Sequence, residues 1–250
     1  MRKILFLVWL LVPVGLIYFH YGPGQKYKAI DRAMHWVEIA NDLSDIAQQS
    51  GKPEDWQKVI VNYDKALAVL EDKDDRASER LNLARSHAMV YQGELFEAIG
   101  QLEQQLIDVA DKKMEEKFQD EVRDTLARAQ FGAAWVMRLE GADTDLWMEQ
   151  AEKARQNFRL LAEQNLQTDQ LADEHQKNLE ATIRMERMDA SVIKGIPLPP
   201  EAQNGQGKGL SDKMKAKKGE GEGEPGIGES EEGDARDGAN SLERPQGIGS

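Results

Sequence analysis

The sequence predicts an all-α protein, and three observations lead to this fold class. Apolar residues recur at steps of three and four from Tyr27 to about Ala190, which places them on one face of successive helices. Alternation of apolar and polar residues, the pattern of strands, is almost absent from the same region. Pro53 is the only proline between Gly24 and Pro197, and it lies where a helix could begin. We therefore expect a series of helices, flanked by two segments of different composition.

The first element is an apolar run at 4–21, which follows the basic residues Arg2 and Lys3. About 18 residues in helix span roughly 27 Å, close to the hydrocarbon thickness of a bilayer. The run ends in bulky residues at 18–21, which suit a membrane–water interface better than a signal-peptide cleavage site. The sequence therefore predicts an uncleaved transmembrane anchor at 1–24.

The orientation of this anchor depends on the charges that flank it. Basic residues lie on both sides, so the positive-inside count is nearly balanced: Arg2 and Lys3 before the run, and Lys26, Lys28 and Arg32 after it. A leader this short favours an amino terminus in the cytoplasm. We expect a single-pass protein of the bacterial inner membrane with its main domain in the periplasm, and a cytoplasmic domain is the alternative. The absence of cysteine is compatible with either compartment.

Residues 25–195 are predicted to form one domain of antiparallel helical hairpins. Gly51, Gly93 and Gly141 each separate two segments with helical periodicity. Helices are predicted before these glycines at about 27–49, 77–92 and 117–139, second helices after each glycine, and a last helix at about 168–190. Such hairpins cover their apolar faces by stacking on one another, so we expect a short solenoid.

The hairpins resemble the tetratricopeptide repeat. Segments 55–67, 93–99 and 152–158 carry aromatic residues and alanines at the spacing of its turn and second helix, and 131–135 is similar to its first helix. Within 131–135, Gly132 would allow a neighbouring helix to approach closely. The glycine spacings of 42 and 48 exceed the family's repeat of about 34, and the proline that closes each repeat is missing, so the repeats are degenerate.

This resemblance implies a concave groove lined by first helices, which holds partner peptides. It points to exposed positions near Ala129, Ala133 and Val136, without assigning a role to any one of them. The layout also resembles the anchored helical-repeat accessory proteins of MoxR-type ATPase and von Willebrand A-domain systems, on the segment 134–142 and the glycine-rich tail. That resemblance implies a role in assembling or maturing envelope or metal-containing complexes.

The residue types that carry catalysis or bind metals do not form a recognisable site. The four histidines, at positions 20, 35, 87 and 175, lack the paired spacing of a helical zinc site, and there is no cysteine. Asp173, Glu174 and His175 are consecutive and point in different directions on a helix, which favours a surface cluster over a ligand set. We predict no catalytic residue, no cofactor-binding residue and no metal ligand. The net charge of −13 argues against nucleic acid as a partner.

Residues 196–250 are predicted to be a disordered tail. From 201 onward the chain is rich in Gly, Glu and Lys and almost free of large apolar side chains, so it cannot bury enough surface to fold. The sharper alternative is a pair of docking motifs centred on Ile227 and Ile248. Residues 204–211 superficially resemble a phosphate-binding loop but lack its spacing and its strand-to-helix context.

Taken together, these features predict a non-catalytic, membrane-anchored helical-repeat scaffold. Its expected partners are other proteins, with the membrane contacted through the N-terminal helix, and neither a nucleic acid nor a small-molecule substrate is evident. The alternative is an enzyme, or an enzyme subunit whose site a partner completes.

Overall fold

The computed structural model describes residues 9, 11–14, 17–19, 23–70, 75–164 and 169–221. All regular structure in these ranges is helical, which confirms the all-α prediction. The longer helices, in chain order, are α1 (Pro23–Ser50), α2 (Pro53–Leu70), α3 (Asp75–Gln92), α4 (Leu95–Asp111), α5 (Glu116–Glu140), α6 (Thr144–Gln164) and α7 (Asp169–Arg187). A short helix α8 (Ala190–Ile193), a 3-10 turn (Pro200–Ala202) and a last helix α9 (Leu210–Gly221) follow them.

Consecutive helices pack against one another as hairpins, and the predicted turns are where they were expected. Helices α1 and α2, α3 and α4, and α5 and α6 are each joined through a glycine with positive φ: 64° at Gly51, 90° at Gly93 and 76° at Gly141. A left-handed residue ends a helix and reverses the chain, and glycine adopts it without steric cost. Each hairpin also packs on the next, and α7 packs on α6.

The apolar stripes form the core between these helices. In α2 the buried residues recur at steps of three and four, as the sequence predicts: Trp56, Val59, Ile60, Tyr63, Ala66 and Leu70. Trp56 stacks on Tyr91 of α3 with ring centroids 5.2 Å apart, and the Tyr63 hydroxyl donates a hydrogen bond of 3.0 Å to Asn41 Oδ1 of α1. The stripe of α2 therefore joins the first hairpin to the second.

The predicted anchor at 1–24 lies largely outside the described residues. Those that are described, from Trp9 to Phe19, are helical, and their side chains are exposed. Across the described parts of the chain, no helix combines the length and the apolar character that a membrane span requires.

The predicted tail boundary at 196 is wrong for residues 196–221, which we call the C-terminal segment. They fold onto the hairpins, with Ala202, Leu210 and Met214 buried. Leu210 and Met214 are one helical turn apart, so even a polar, glycine-rich sequence presents an apolar contact here. The part of the predicted tail from 222 onward, including Ile227 and Ile248, lies outside the described residues.

Candidate functional site

Helices α3 and α5, the first helices of two successive hairpins, form a groove on one side of the stack. One half is an open cleft of about 420 Å³, lined by Arg80, Leu83, Ala84, His87, Phe118, Glu121, Asp124 and Thr125. The other half lies near the C-terminal ends of both helices and holds the C-terminal segment. The chain therefore has a groove between first helices, and part of it is occupied by the chain itself.

Two glycines let the C-terminal segment approach the helices at backbone distance. A Cβ atom added at Gly132 of α5 would lie 2.9 Å from the Cβ of Glu201 and 3.2 Å from its carbonyl carbon. A Cβ added at Gly93 would lie 2.0 Å from the Asn204 carbonyl oxygen, which no side chain allows. Gly132 thus admits a close neighbour, as predicted, but that neighbour is the 3-10 turn rather than a helix.

The expectation of exposed groove positions near Ala129, Ala133 and Val136 is wrong. All three side chains are completely buried. Gly205 of the C-terminal segment lies against Val136, since a Cβ added at Gly205 would be 3.1 Å from Val136 Cγ2. At Val136 the expectation failed because the C-terminal segment, predicted to be disordered, packs on this part of α5.

Polar groups of the C-terminal segment satisfy carbonyls at the end of α3. Asn204 Nδ2 donates a hydrogen bond of 2.7 Å to the Tyr91 carbonyl. Lys208 Nζ donates to the Gln92 carbonyl at 3.2 Å and pairs with Glu94 at 2.8 Å. The last carbonyls of a helix lack partners within it, so these contacts act as a cap supplied from far along the chain.

At the end of α5, Glu140 holds the start of α9. Its carboxylate accepts a hydrogen bond of 3.1 Å from the Gly207 N–H and one of 2.9 Å from the Ser211 hydroxyl. The carboxylate thereby connects the last turn of α5 to two points of the C-terminal segment.

Helix α9 is attached to the stack by ion pairs and by the buried side chains of Leu210 and Met214. Its lysines face acidic side chains of α4, α6 and the α5–α6 turn: Lys213 with Glu97 at 2.7 Å, Lys215 with Asp143 at 3.2 Å, Lys217 with Glu103 at 3.2 Å and Lys218 with Asp145 at 3.8 Å. Burial acts to raise the pKa of Glu97, but the hydrogen bond and charge of Lys213, together with hydrogen bonds from its own backbone N–H and with the Glu94 side chain, lower the pKa overall. The partners are partly exposed, so each pair contributes about 0.2–1 kcal/mol and is weakened by salt.

A cluster of charged residues lies where the filled and open halves of the groove meet. We call it the Arg128 cluster: Asp124, Arg128, Glu174, His175 and Glu201. The Arg128 guanidinium donates to Asp124 at 2.8 Å and to Glu174 at 2.6 Å, while Glu201 Oε1 stays 3.8 Å from Nη1. Three carboxylates therefore surround one guanidinium, and Glu201 has the longest contact of the three.

The electrostatics of Glu201 follow from its burial, because only 6% of the residue is exposed. Burial raises its pKa, although a hydrogen bond from its own backbone N–H and the charge of Arg128 act in the opposite direction. Nearby Asp124 raises the pKa further. The ionised Glu201 side chain is thus bound less favourably than its neutral form would be.

The Arg128 cluster retains unused hydrogen-bonding capacity. Asp124 Oδ1 and His175 Nδ1 lie 3.4 Å apart, and both are buried without a hydrogen-bond partner among the described residues. Buried polar atoms usually have partners, and these two face each other as a charge pair when His175 is protonated.

The three described histidines lie in different surroundings. His35 packs beside Trp36, His87 lines the open cleft with its ring tilted against that of Tyr91, and His20 lies outside the described residues. Asp173 pairs with Lys177, whereas Glu174 and His175 join the Arg128 cluster. The prediction that these three neighbours point in different directions holds for Asp173 but is wrong for Glu174 and His175, and His175 is buried rather than on the surface. Within the described ranges, no three His, Asp or Glu side chains are placed to share a metal ion.

The residues at the centre of the cluster, Arg128, Asp124 and Glu201, were missed in the sequence. One signal was present, because Arg128 lies between Ala127 and Ala129, and small neighbours often accompany close packing. Glu201 carried no such signal within the glycine-rich tail.

Comparison with known proteins identified no relative of the chain. No family model matches the chain, and no match was found among curated proteins or among solved structures.

Proposed function

We propose that this chain is a non-catalytic adaptor that binds an extended segment of a partner protein in the groove between α3 and α5. The observation that carries the proposal is the occupant of the groove. The groove accepts a chain segment at backbone distance over Gly93 and Gly132, and an open cleft continues from the occupied part. A surface with these properties suits recognition of a peptide in which small residues face the groove.

The repeat architecture supports the same proposal. Hairpins with left-handed glycines at their turns, stacked so that first helices lie side by side, fit a degenerate tetratricopeptide arrangement. Partner binding in a groove of first helices is what that resemblance implies. The resemblance to accessory proteins of MoxR-type ATPase systems is also part of the proposal. It favours a role in the assembly or maturation of an envelope complex.

The proposal includes an anchor at 1–24 in the bacterial inner membrane, with the helical domain in the periplasm. It is supported by the length and apolar character of 4–21 and by the bulky residues that end this run. An anchored adaptor meets membrane partners at a higher effective concentration than a free one does.

Site-specific crosslinking on intact membranes tests the adaptor function. His87 is exposed in the open cleft, so a photo-crosslinking amino acid at this position would contact whatever binds there. The matched control places the same amino acid at Val61, which is exposed on α2. We expect a discrete crosslinked protein from position 87 and none from position 61. Identical products from both positions, or turnover of a substrate by the purified chain, would contradict the adaptor function, and turnover would favour the enzyme alternative.

A further inference from the structure

The C-terminal segment occupies the groove in the manner of a bound peptide. It enters extended at Pro199, with φ −60° and ψ 151°, and then makes the 3-10 turn that places Glu201 over Gly132. Beyond the turn, Asn204 and Lys208 bind carbonyls at the end of α3. These contacts join residues more than a hundred positions apart in sequence, so another chain with the same groups could make them as well.

The occupant fits the groove unevenly. Ala202 and Gly205 are buried and fit closely, whereas Glu201 brings a third carboxylate to a guanidinium that already donates to Asp124 and Glu174. The distance of 3.8 Å to Arg128 is too long for a hydrogen bond. The side chain is therefore desolvated with only a hydrogen bond from its own backbone N–H and the long contact to Arg128 in return, which weakens the docking of the segment.

The second attachment, α9, is of a different kind. Its lysines pair with partly exposed acids, and only Leu210 and Met214 among its described side chains are buried. Exposed ion pairs contribute little individually and respond to salt. Breaking these pairs therefore removes part of the attachment of α9, whereas Leu210 and Met214, which pack in the hydrophobic core, hold the remainder.

We propose that residues 197–208 are an intramolecular ligand of the groove, held in place by the α9 ion pairs and displaced by a partner segment of similar build. That partner segment is extended and contains proline, has a small residue where Ala202 lies, and has an uncharged amide side chain where Glu201 lies. The identity of the partner segment rests on the proposed adaptor function, whereas the intramolecular ligand does not.

The preference for an amide follows from the Arg128 cluster. A glutamine has the length of Glu201, carries no charge to desolvate, and offers both a donor and an acceptor. It would also avoid a third negative charge beside Asp124 and Glu174, which already accept hydrogen bonds from Arg128. The chain's own segment is consequently a weaker ligand than the partner segment, and a partner can replace it.

Peptide binding to the full chain in detergent micelles tests both parts. The probes are fluorescein-labelled synthetic peptides of residues 196–210, one with the native sequence and one carrying Glu201→Gln, followed by fluorescence anisotropy. The proteins are the native chain, the double variant Lys213→Glu/Lys215→Glu, and a control that adds Glu97→Lys/Asp143→Lys to restore both pairs with reversed charges.

We expect the double variant to bind the native peptide about tenfold more tightly than the native chain does, because its own segment is released. The charge-reversed control should return to the weak binding of the native chain. The Glu201→Gln peptide should bind the double variant several-fold more tightly than the native peptide does.

Three results would overturn the proposal. A double variant that keeps its helical circular dichroism but binds neither peptide shows that residues 197–208 are no ligand. A double variant that loses its helical signal shows that the segment is a structural part of the core. Equal or weaker binding of the Glu201→Gln peptide refutes the amide preference. If the peptides bind as expected but position 87 gives no crosslinked protein, the adaptor function is refuted. The conclusion that residues 197–208 are an intramolecular ligand is then unaffected.

Discussion

Replacing Gly132 by alanine should stabilise α5 and at the same time loosen the C-terminal segment. An alanine inside a helix is favoured over glycine by about 1 kcal/mol, so the hairpin stack should become harder to unfold. The added methyl group would lie 2.9 Å from Glu201 Cβ, and since carbon atoms pack at about 3.5 Å or more, the 3-10 turn must move outward by about 0.6 Å. Crowding of this kind costs about 1–3 kcal/mol, which falls on the docking of the segment.

Hydrogen exchange separates the two effects, since it reports the opening of individual amides. The Ala202 amide, which donates to the Pro199 carbonyl, should lose protection by roughly 5-fold to 150-fold in the Gly132→Ala variant. Amides in the middle of α5 should keep or gain protection. The matched control is Gly100→Ala in α4, where nothing lies within 4 Å of the added Cβ.

The control should gain about 1 kcal/mol of stability without any change at Ala202. If Gly132→Ala left the protection at Ala202 unchanged from the native chain, the close approach of the segment to α5 would be refuted. If both variants loosened Ala202 equally, the effect would not come from the contact with Glu201.

Three further predictions concern the core, the ion pairs and pH. Phe158→Ala removes a side chain that is 1% exposed and should lower the free energy of unfolding by about 3–5 kcal/mol in a chemical denaturation experiment, whereas an unchanged value would place Phe158 outside the core. Lys213→Glu should release α9, seen as faster hydrogen exchange at 210–214, and adding Glu97→Lys should restore protection; a double variant no better than the single one would contradict the pairing. Docking of the C-terminal segment should strengthen as pH falls from 7 toward 4.5, because burial raises the pKa of Glu201 above its usual 4.5 and its protonated form docks better. Below pH 4.5 docking should weaken, since Glu97, whose pKa is lowered by Lys213, becomes protonated and the contribution of its pair is lost. Glu201→Gln should abolish the rise but keep the loss, and an unaltered profile would show that another group is responsible.

The hairpins could be predicted because their signals are local. The apolar stripe of α2, from Trp56 to Leu70, recurs with helical spacing that any neighbouring helix can cover. Gly51, Gly93 and Gly141 lie at left-handed turns, a conformation for which glycine is the favoured residue. In each case a few adjacent residues determine the structure, so the sequence alone was sufficient.

The packing of residues 196–221 onto the hairpins could not be predicted, because the residues that they contact are distant in sequence. Lys213 is ordered by Glu97, and Asn204 by the Tyr91 carbonyl. The composition of the segment correctly indicates that it is poor in apolar residues. It cannot show that the folded hairpins present acidic side chains and helix-end carbonyls to which the segment can bind. Gly132 indicated a close approach, without indicating which part of the chain makes it.

The Arg128 cluster was missed for the same reason. Its members come from α5, α7 and the 3-10 turn, and no spacing in the sequence relates Glu201 to Arg128. Asp124 and Arg128 form an ordinary pair four residues apart on one helix. Only the packing of the C-terminal segment brings this pair into the groove between α3 and α5.

The distance between the C-terminal segment and the hairpin stack, measured in solution, shows whether the segment fills the groove between α3 and α5. The chain contains no cysteine, so spin labels can be placed through Gln206→Cys and Val61→Cys, both at exposed positions. Double electron–electron resonance should give one narrow distribution of distances between the two spin labels. The distribution should broaden when Lys213→Glu/Lys215→Glu is added. A broad distribution already present in the otherwise native chain would contradict a groove that is filled by its own C-terminal segment.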